Sequence, residues 1–109
     1  MIIDFNNMEE KAFPNFKGGE GDYNARMATH NENKIMKGRL EPGCSIGLHT
    51  HDTSCETIFV LSGHAYIIYD DTTEVCRAGE CHHCPKGHTH SMINKGNEDL
   101  VFYAVVAEQ

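Results

Sequence analysis

The chain has no long apolar run. Its longest, Leu100 to Ala107, covers eight residues, well short of the roughly 20 needed to span a bilayer as a helix. The first residues, Met1-Ile2-Ile3-Asp4, lack the basic region and apolar segment of a secretory signal, so the expected location is cytoplasmic. Basic residues are few: nine Lys and Arg stand against 16 Asp and Glu, a net charge of −7 with no basic cluster. A nucleic-acid partner calls for a basic face to meet the phosphates, and attachment to an anionic membrane calls for the same. Neither partner is expected. A disulfide framework is missing too, because the five cysteines are odd in number and come without a secretory context. Their thiols are expected to be reduced. Helical periodicity is almost absent.

What the chain does have is turns. From Lys34 onward, short stretches alternate with Glu41-Pro42-Gly43, Asp52-Thr53-Ser54, Ser62-Gly63, Asp70-Asp71-Thr72, Ala78-Gly79, Pro85-Lys86-Gly87 and Lys95-Gly96-Asn97. These punctuate predicted strands at 34–40, 45–51, 56–61, 64–69, 73–77, 80–84, 89–94 and 99–107. A turn every 8 to 12 residues is the rhythm of closed barrels and double-sheet jelly rolls, so the fold class is all-β. In His64 to Tyr69 the odd positions Ala65, Ile67 and Tyr69 are predicted to face inward and His64 outward. Residues 1–33 read as an irregular N-terminal arm that packs on the barrel or on a partner subunit, with the barrel over 34–109. Within the arm, Met1–Phe5 is a candidate edge strand and Met8–Phe13 a candidate helical turn.

Histidine is abundant, with eight in 109 residues against a typical share of about 2%. His49 and His51 are two apart, and on a strand such residues share a face, about 7 Å apart. Glu56 follows after four residues, enough to turn into the next strand, and His90 arrives from a distant strand after a Pro-Gly turn. Three imidazoles and a carboxylate suit a divalent Fe, Mn, Ni, Zn, Co or Cu ion, and an octahedral ion would keep two positions for water or substrate. Taken singly, each residue has a plainer reading. A His-x-His pair is commonly a surface pair, a glutamate at a strand start is commonly solvated, and His90 sits beside His88 in a polar stretch.

The spacing joins them. Gly43, His49, His51, Glu56 and Gly63 are separated by five, one, four and six residues. Gly79, Pro85, Gly87, His90 and Asn94 are separated by five, one, two and three. These ten positions, with 15 residues between the two groups, resemble both motifs of the cupin superfamily, and the likeness covers roughly residues 34–107. It implies a two-sheet, double-stranded β-helix (jelly-roll) barrel with one divalent metal near its open end, held by His49, His51, Glu56 and His90. Gly43, Gly63, Gly79 and Gly87 then fall where tight turns call for positive φ. Pro85 fixes the turn before His90, and Asn94 is expected to satisfy buried backbone near the barrel closure. The resemblance also implies a homodimer.

Other clusters read more plainly. Cys81-His82-His83-Cys84 looks like half a zinc site, but no second pair completes it. Cys84 is expected to be a small core residue and the histidines to line a rim or subunit contact. Nothing visible activates Cys55 as a nucleophile. Tyr66, Tyr69, Tyr103, His88 and Ser91 are candidates to reach the cavity, with Tyr69 ranked first as a catalytic residue because of its inward phase. Two functions stand side by side. The preferred one is a metal-dependent enzyme acting on a small oxygenated metabolite, of isomerase, lyase/decarboxylase or dioxygenase type. The alternative is a non-catalytic module that binds or senses a small ligand through its metal. Glu56 argues against the thiol-dioxygenase branch, which uses three histidines alone, and no phosphate-binding basic pair is evident.

Overall fold

The structure, a computed structural model, describes all 109 residues. Ten strands make up most of the chain: β1 (Lys11–Pro14), β2 (Asp22–His30), β3 (Asn33–Leu40), β4 (Ser45–Thr50), β5 (Ser54–Ser62), β6 (His64–Tyr69), β7 (Thr72–Arg77), β8 (Cys81–Cys84), β9 (Thr89–Ile93) and β10 (Leu100–Glu108). They form a six-stranded sheet in the order β1-β2-β3-β10-β5-β8 and a four-stranded sheet in the order β4-β9-β6-β7. Every pairing is antiparallel. The expected all-β, two-sheet barrel is what the chain forms, and the eight strands predicted from residue 34 onward are all present.

Strand alternation sets the core between the sheets. On β5, Ser54, Glu56, Ile58 and Val60 point inward, while Cys55 and Thr57 are only half-buried and Phe59 is exposed. On β10, Leu100, Phe102 and Ala104 are buried and Tyr103 is not. Ala65 and Ile67 of β6 are fully buried and His64 is exposed, as their phase predicts. All five cysteines are free thiols, and Cys84 is a buried core residue.

Residues 1–33 differ from expectation. No strand forms at Met1–Phe5, where Asp4 caps a 3-10 turn at Phe5–Asn7 by accepting the Asn6 N–H (3.0 Å). No helical turn forms at Met8–Phe13, because Lys11–Pro14 pairs as β1 against β2. The larger correction is β2, nine residues long and fully part of the barrel sheet. Tyr23, Ala25 and Met27 alternate toward the core, and Tyr23 stacks on Phe102 with ring centroids 5.9 Å apart. The polar run at His30 to Asn33 is not an arm. Asn31 and Glu32 both take positive φ (48° and 67°), which a two-residue hairpin turn matched to sheet twist requires. The segment before β2 packs on the same chain. Phe13 and Phe16 lie against Tyr23, and Glu10 bonds Arg39 (2.8 Å), which also binds Glu41 and Asp99.

The end of the barrel away from the histidines is closed by Asn94, which is 1% exposed. Its Nδ2 donates to the carbonyls of Leu40 and Glu98 (both 2.8 Å), and its Oδ1 accepts the Gly96 N–H (2.9 Å). Nearby, Gly63 holds φ of +76°, and a Cβ there would sit 2.8 Å from the Asp99 carbonyl oxygen. Buried polar groups left unpaired cost about 1–3 kcal/mol each. Asn94→Ala removes three bonds from a buried position, so it is expected to lower stability by about 3 kcal/mol, read from urea denaturation midpoints at unchanged m-value.

Candidate metal centre

The two sheets deliver four side chains to one end of the barrel by different local devices. Glu56 needs none, because it lies in phase with Ile58 and Val60 on β5. His90 alternates with Met92 on β9 in the same way. β4 is different. Ile46 is a core residue, so strict alternation would turn Leu48 inward and both His49 and His51 outward. Instead Ile46 pairs with Met92 and His49 with His90, three residues along β4 against two along β9. This extra residue is a β-bulge. It reverses the phase of the strand, leaving Leu48 59% exposed and sending both histidines inward.

Ligand-type atoms of His49, His51, Glu56 and His90 lie within 4.8 Å of one another. Nε2 of His51 and of His90 approach Glu56 Oε1 to 3.1 and 2.9 Å and each other to 3.0 Å, and His49 Nε2 stands 4.0 Å from the same oxygen. All but His49 are buried. The opposite ring nitrogens are engaged elsewhere. His49 Nδ1–H donates to the Gly47 carbonyl (2.7 Å), Nδ1 of His51 shares a hydrogen bond with Ser54 Oγ (2.9 Å), and Nδ1 of His90 meets His82 Nε2 (3.0 Å). Each imidazole thus turns Nε2 toward the cluster, the arrangement a metal ligand needs. Burial pushes His49 below the ordinary imidazole range, favouring the neutral, ligating form. For Glu56 burial acts to raise the carboxyl, but the contacts with His51 and His90 outweigh it and hold it at about 2, so the group is a carboxylate. The donor set therefore fits one divalent cation, with the carboxylate offsetting one of its charges.

The cluster forms one wall of a cavity of about 590 Å³. Tyr23, Met36, Ile46, Ile58, Met92 and Val106 supply an apolar part of the remaining wall. Lys17, Lys34, Glu32 and Glu108 also line it. The N-terminal segment contributes Phe16, Tyr23 and Met27, which were not expected at a site. Tyr23 was recognisable only through its alternation with Ala25 and Met27. Its hydroxyl contacts Met36 Sδ (2.8 Å), and burial pushes the phenol upward.

Of the other candidates, only Ser91 lines the cavity, and its Oγ is buried without a partner. Tyr69 does not reach it. The inward phase of β6 carries its ring against His82 and His88 (centroids 5.3 and 5.7 Å). Tyr103 faces outward and Cys55 alternates away from Glu56. The Cys81–Cys84 stretch divides by phase: His83 is exposed and bonds Thr57, whereas His82 is 2% exposed inside the barrel, not on a rim.

Gly47 joins this wall to the N-terminal segment. A Cβ there would overlap the Lys17 carbonyl and crowd Gly19 N at 2.8 Å. Gly47→Ala is expected to lift the Phe16–Gly18 turn from β4 and to destabilise the protein by about 1–3 kcal/mol. Amide exchange should rise at Gly18 and Gly19, which bond back to Asn15 and Phe16; unchanged exchange there would contradict the contact.

Comparison with known proteins agrees with this architecture. The model of the family described as "Cupin domain" matches residues 36–106. A Thermotoga maritima protein named oxalate-binding protein is 30% identical over 113 residues, covering 97% of this chain and 93% of that one. A crystal structure from Thermotoga maritima, described as a predicted oxalate decarboxylase, superposes with a TM-score of 0.93 at 26% identity over the whole of both chains. A mutant of Bacillus subtilis oxalate decarboxylase matches with a TM-score of 0.77 at 21% identity, over 97% of this chain but 29% of its own, a likeness of fold alone. With two thirds of its length matched by the family model and both sheets accounted for, the chain belongs to the cupin family.

Proposed function

We propose that this chain holds one divalent transition metal ion (Fe, Mn, Ni, Zn, Co or Cu) on His49, His51, Glu56 and His90, and through it takes a small chelating carboxylate such as oxalate or a 2-oxo acid. The observation that carries this reading is the convergence of three Nε2 atoms and one carboxylate oxygen at the wall of a single cavity. The names given to the Thermotoga matches support the ligand class. The ion would supply Lewis acidity toward the ligand's oxygens. The chain's own residues do the rest. Glu56 limits the excess positive charge, the Nδ1 contacts hold the imidazoles in orientation, and the apolar wall from Tyr23 to Val106 excludes water and strengthens electrostatic contacts inside.

Among reactions open to such a site, cleavage beside a carboxylate, of lyase or decarboxylase type, is the preferred one. Inert binding is the second reading. It is favoured by the tying of the buried Tyr23 hydroxyl to Met36. A cytoplasmic location and a homodimer complete the proposal. The outer face of the six-stranded sheet leaves Phe59, Leu61 and Tyr103 exposed, an apolar surface suited to a second copy.

Metal analysis after reconstitution is expected to find about one equivalent per chain in the wild type and almost none in His49→Ala or His90→Ala. In the loaded protein, oxalate at about 100 times its Kd should add about 2.7 kcal/mol of stability, read as a rise in Tm absent from the metal-free protein. Release of carbon dioxide would select the enzyme, and saturable binding without turnover the binder. A wild type that takes up no metal would overturn the proposal.

A further inference from the structure

Behind His90, on the side its ring turns from the cluster, stand two residues that do not line the cavity. Glu74 lies on β7, the edge of the four-stranded sheet, and His82 on β8, the edge of the six-stranded sheet. Their inward phases, shared with Cys76 and Cys84, bring them together across the seam, with His82 Nδ1 2.6 Å from Glu74 Oε1. The other His82 nitrogen, Nε2, lies 3.0 Å from His90 Nδ1, and the two rings stack with centroids 5.2 Å apart. His82 is 2% exposed, whereas the Glu74 side chain is 46% exposed.

The chemistry of the acceptor gives this chain of bonds a direction. A carboxylate oxygen accepts, so His82 Nδ1 carries the proton. In a neutral ring His82 Nε2 then has a lone pair, which accepts the His90 Nδ1–H. His90 Nε2 is left with its own lone pair facing Glu56 and the other imidazoles. We propose that Glu74 and His82 are positioning residues that fix the tautomer and ring orientation of His90 for metal ligation. The inference rests on His90 being a ligand, as proposed above. His49 obtains the same service from the Gly47 carbonyl; His90 obtains it from a side-chain pair reaching the surface. The same neighbourhood offers a competing use, since His82, Cys84 and His90 place ligand-type atoms within 4.8 Å. Against a second metal there, the two facing ring nitrogens are already bonded to each other.

The test uses the full chain loaded with Zn(II). Long-range ¹H–¹⁵N NMR of histidine-labelled protein reports which ring nitrogen carries each proton, and chelator competition reports affinity. The wild type is expected to bind one equivalent, with protonated Nδ1 on both His82 and His90. His82→Phe keeps a ring but removes the acceptor. It should abolish the hydrogen-bonded His90 Nδ1–H signal and weaken Zn(II) binding by about 10–100-fold. Glu74→Ala, a change at a half-exposed position, should weaken binding less, and Glu74→Gln, whose amide oxygen still accepts, should recover most of that loss. One equivalent bound equally by wild type and His82→Phe, with the His90 signal unchanged, overturns the positioning role while leaving the metal site standing. Two equivalents with Cys84 ligated overturn it in favour of a second metal. A wild type that binds no zinc or other transition metal removes the ligand reading itself, and this inference with it.

Discussion

Three imidazoles and a carboxylate share one end of an otherwise apolar barrel, and their need for hydrogen-bond partners organises much of what surrounds them. A polar group taken out of water and left alone costs more than its pairing ever gains. Each histidine accordingly has its second nitrogen committed: to a backbone carbonyl, to Ser54 or to His82. The commitments differ in kind but have one result. Nothing has to rotate for the Nε2 atoms to converge, so the cluster is already arranged as a ligand set. Preorganisation of this sort is what separates a metal centre from histidines that merely lie near one another.

The N-terminal segment matters to this arrangement more than its composition suggests. Phe13 and Phe16 pack on Tyr23, Tyr23 stacks on Phe102, and Phe16, Tyr23 and Met27 face the cavity. Without that wall the polar cluster would open broadly to water. With it, an entering ligand meets an apolar surface on one side and oxygen- or metal-binding groups on the other. Most small-molecule pockets share that division of labour, in which shape comes from apolar residues and orientation from a few polar ones.

Much of this could be read from the residues alone, and the rest could not, for identifiable reasons. From residue 34 onward the turns are written in Gly, Pro and Asp, so the strands between them stand out. The four cluster residues were legible because their intervals are fixed by two turns and one strand. β2 escaped because Gly18, Gly19 and Gly21 before it and Asn31 and Asn33 after it look like the marks of an unstructured arm. They are in fact a close packing contact and a hairpin turn, and the period-two pattern of Tyr23, Ala25 and Met27 lay between them. Glu74 and His82 escaped for a deeper reason. Their alternation on β7 and β8 is readable, but their meeting depends on how two sheet edges approach, which is a tertiary fact with no local signature. Tyr69 shows the same limit in reverse: inward phase places a side chain between the sheets but does not say which neighbour it will meet.

The bulge on β4 gives that strand two reading frames. Up to Ile46 its letters are spelled for an apolar interior; from His49 they are spelled for a polar one, and Gly47 and Leu48 form the junction where the frame changes. What the strand must keep is therefore a count of residues as well as its two histidines. One residue more or fewer would swap the vocabulary of the barrel's interior for that of its surface.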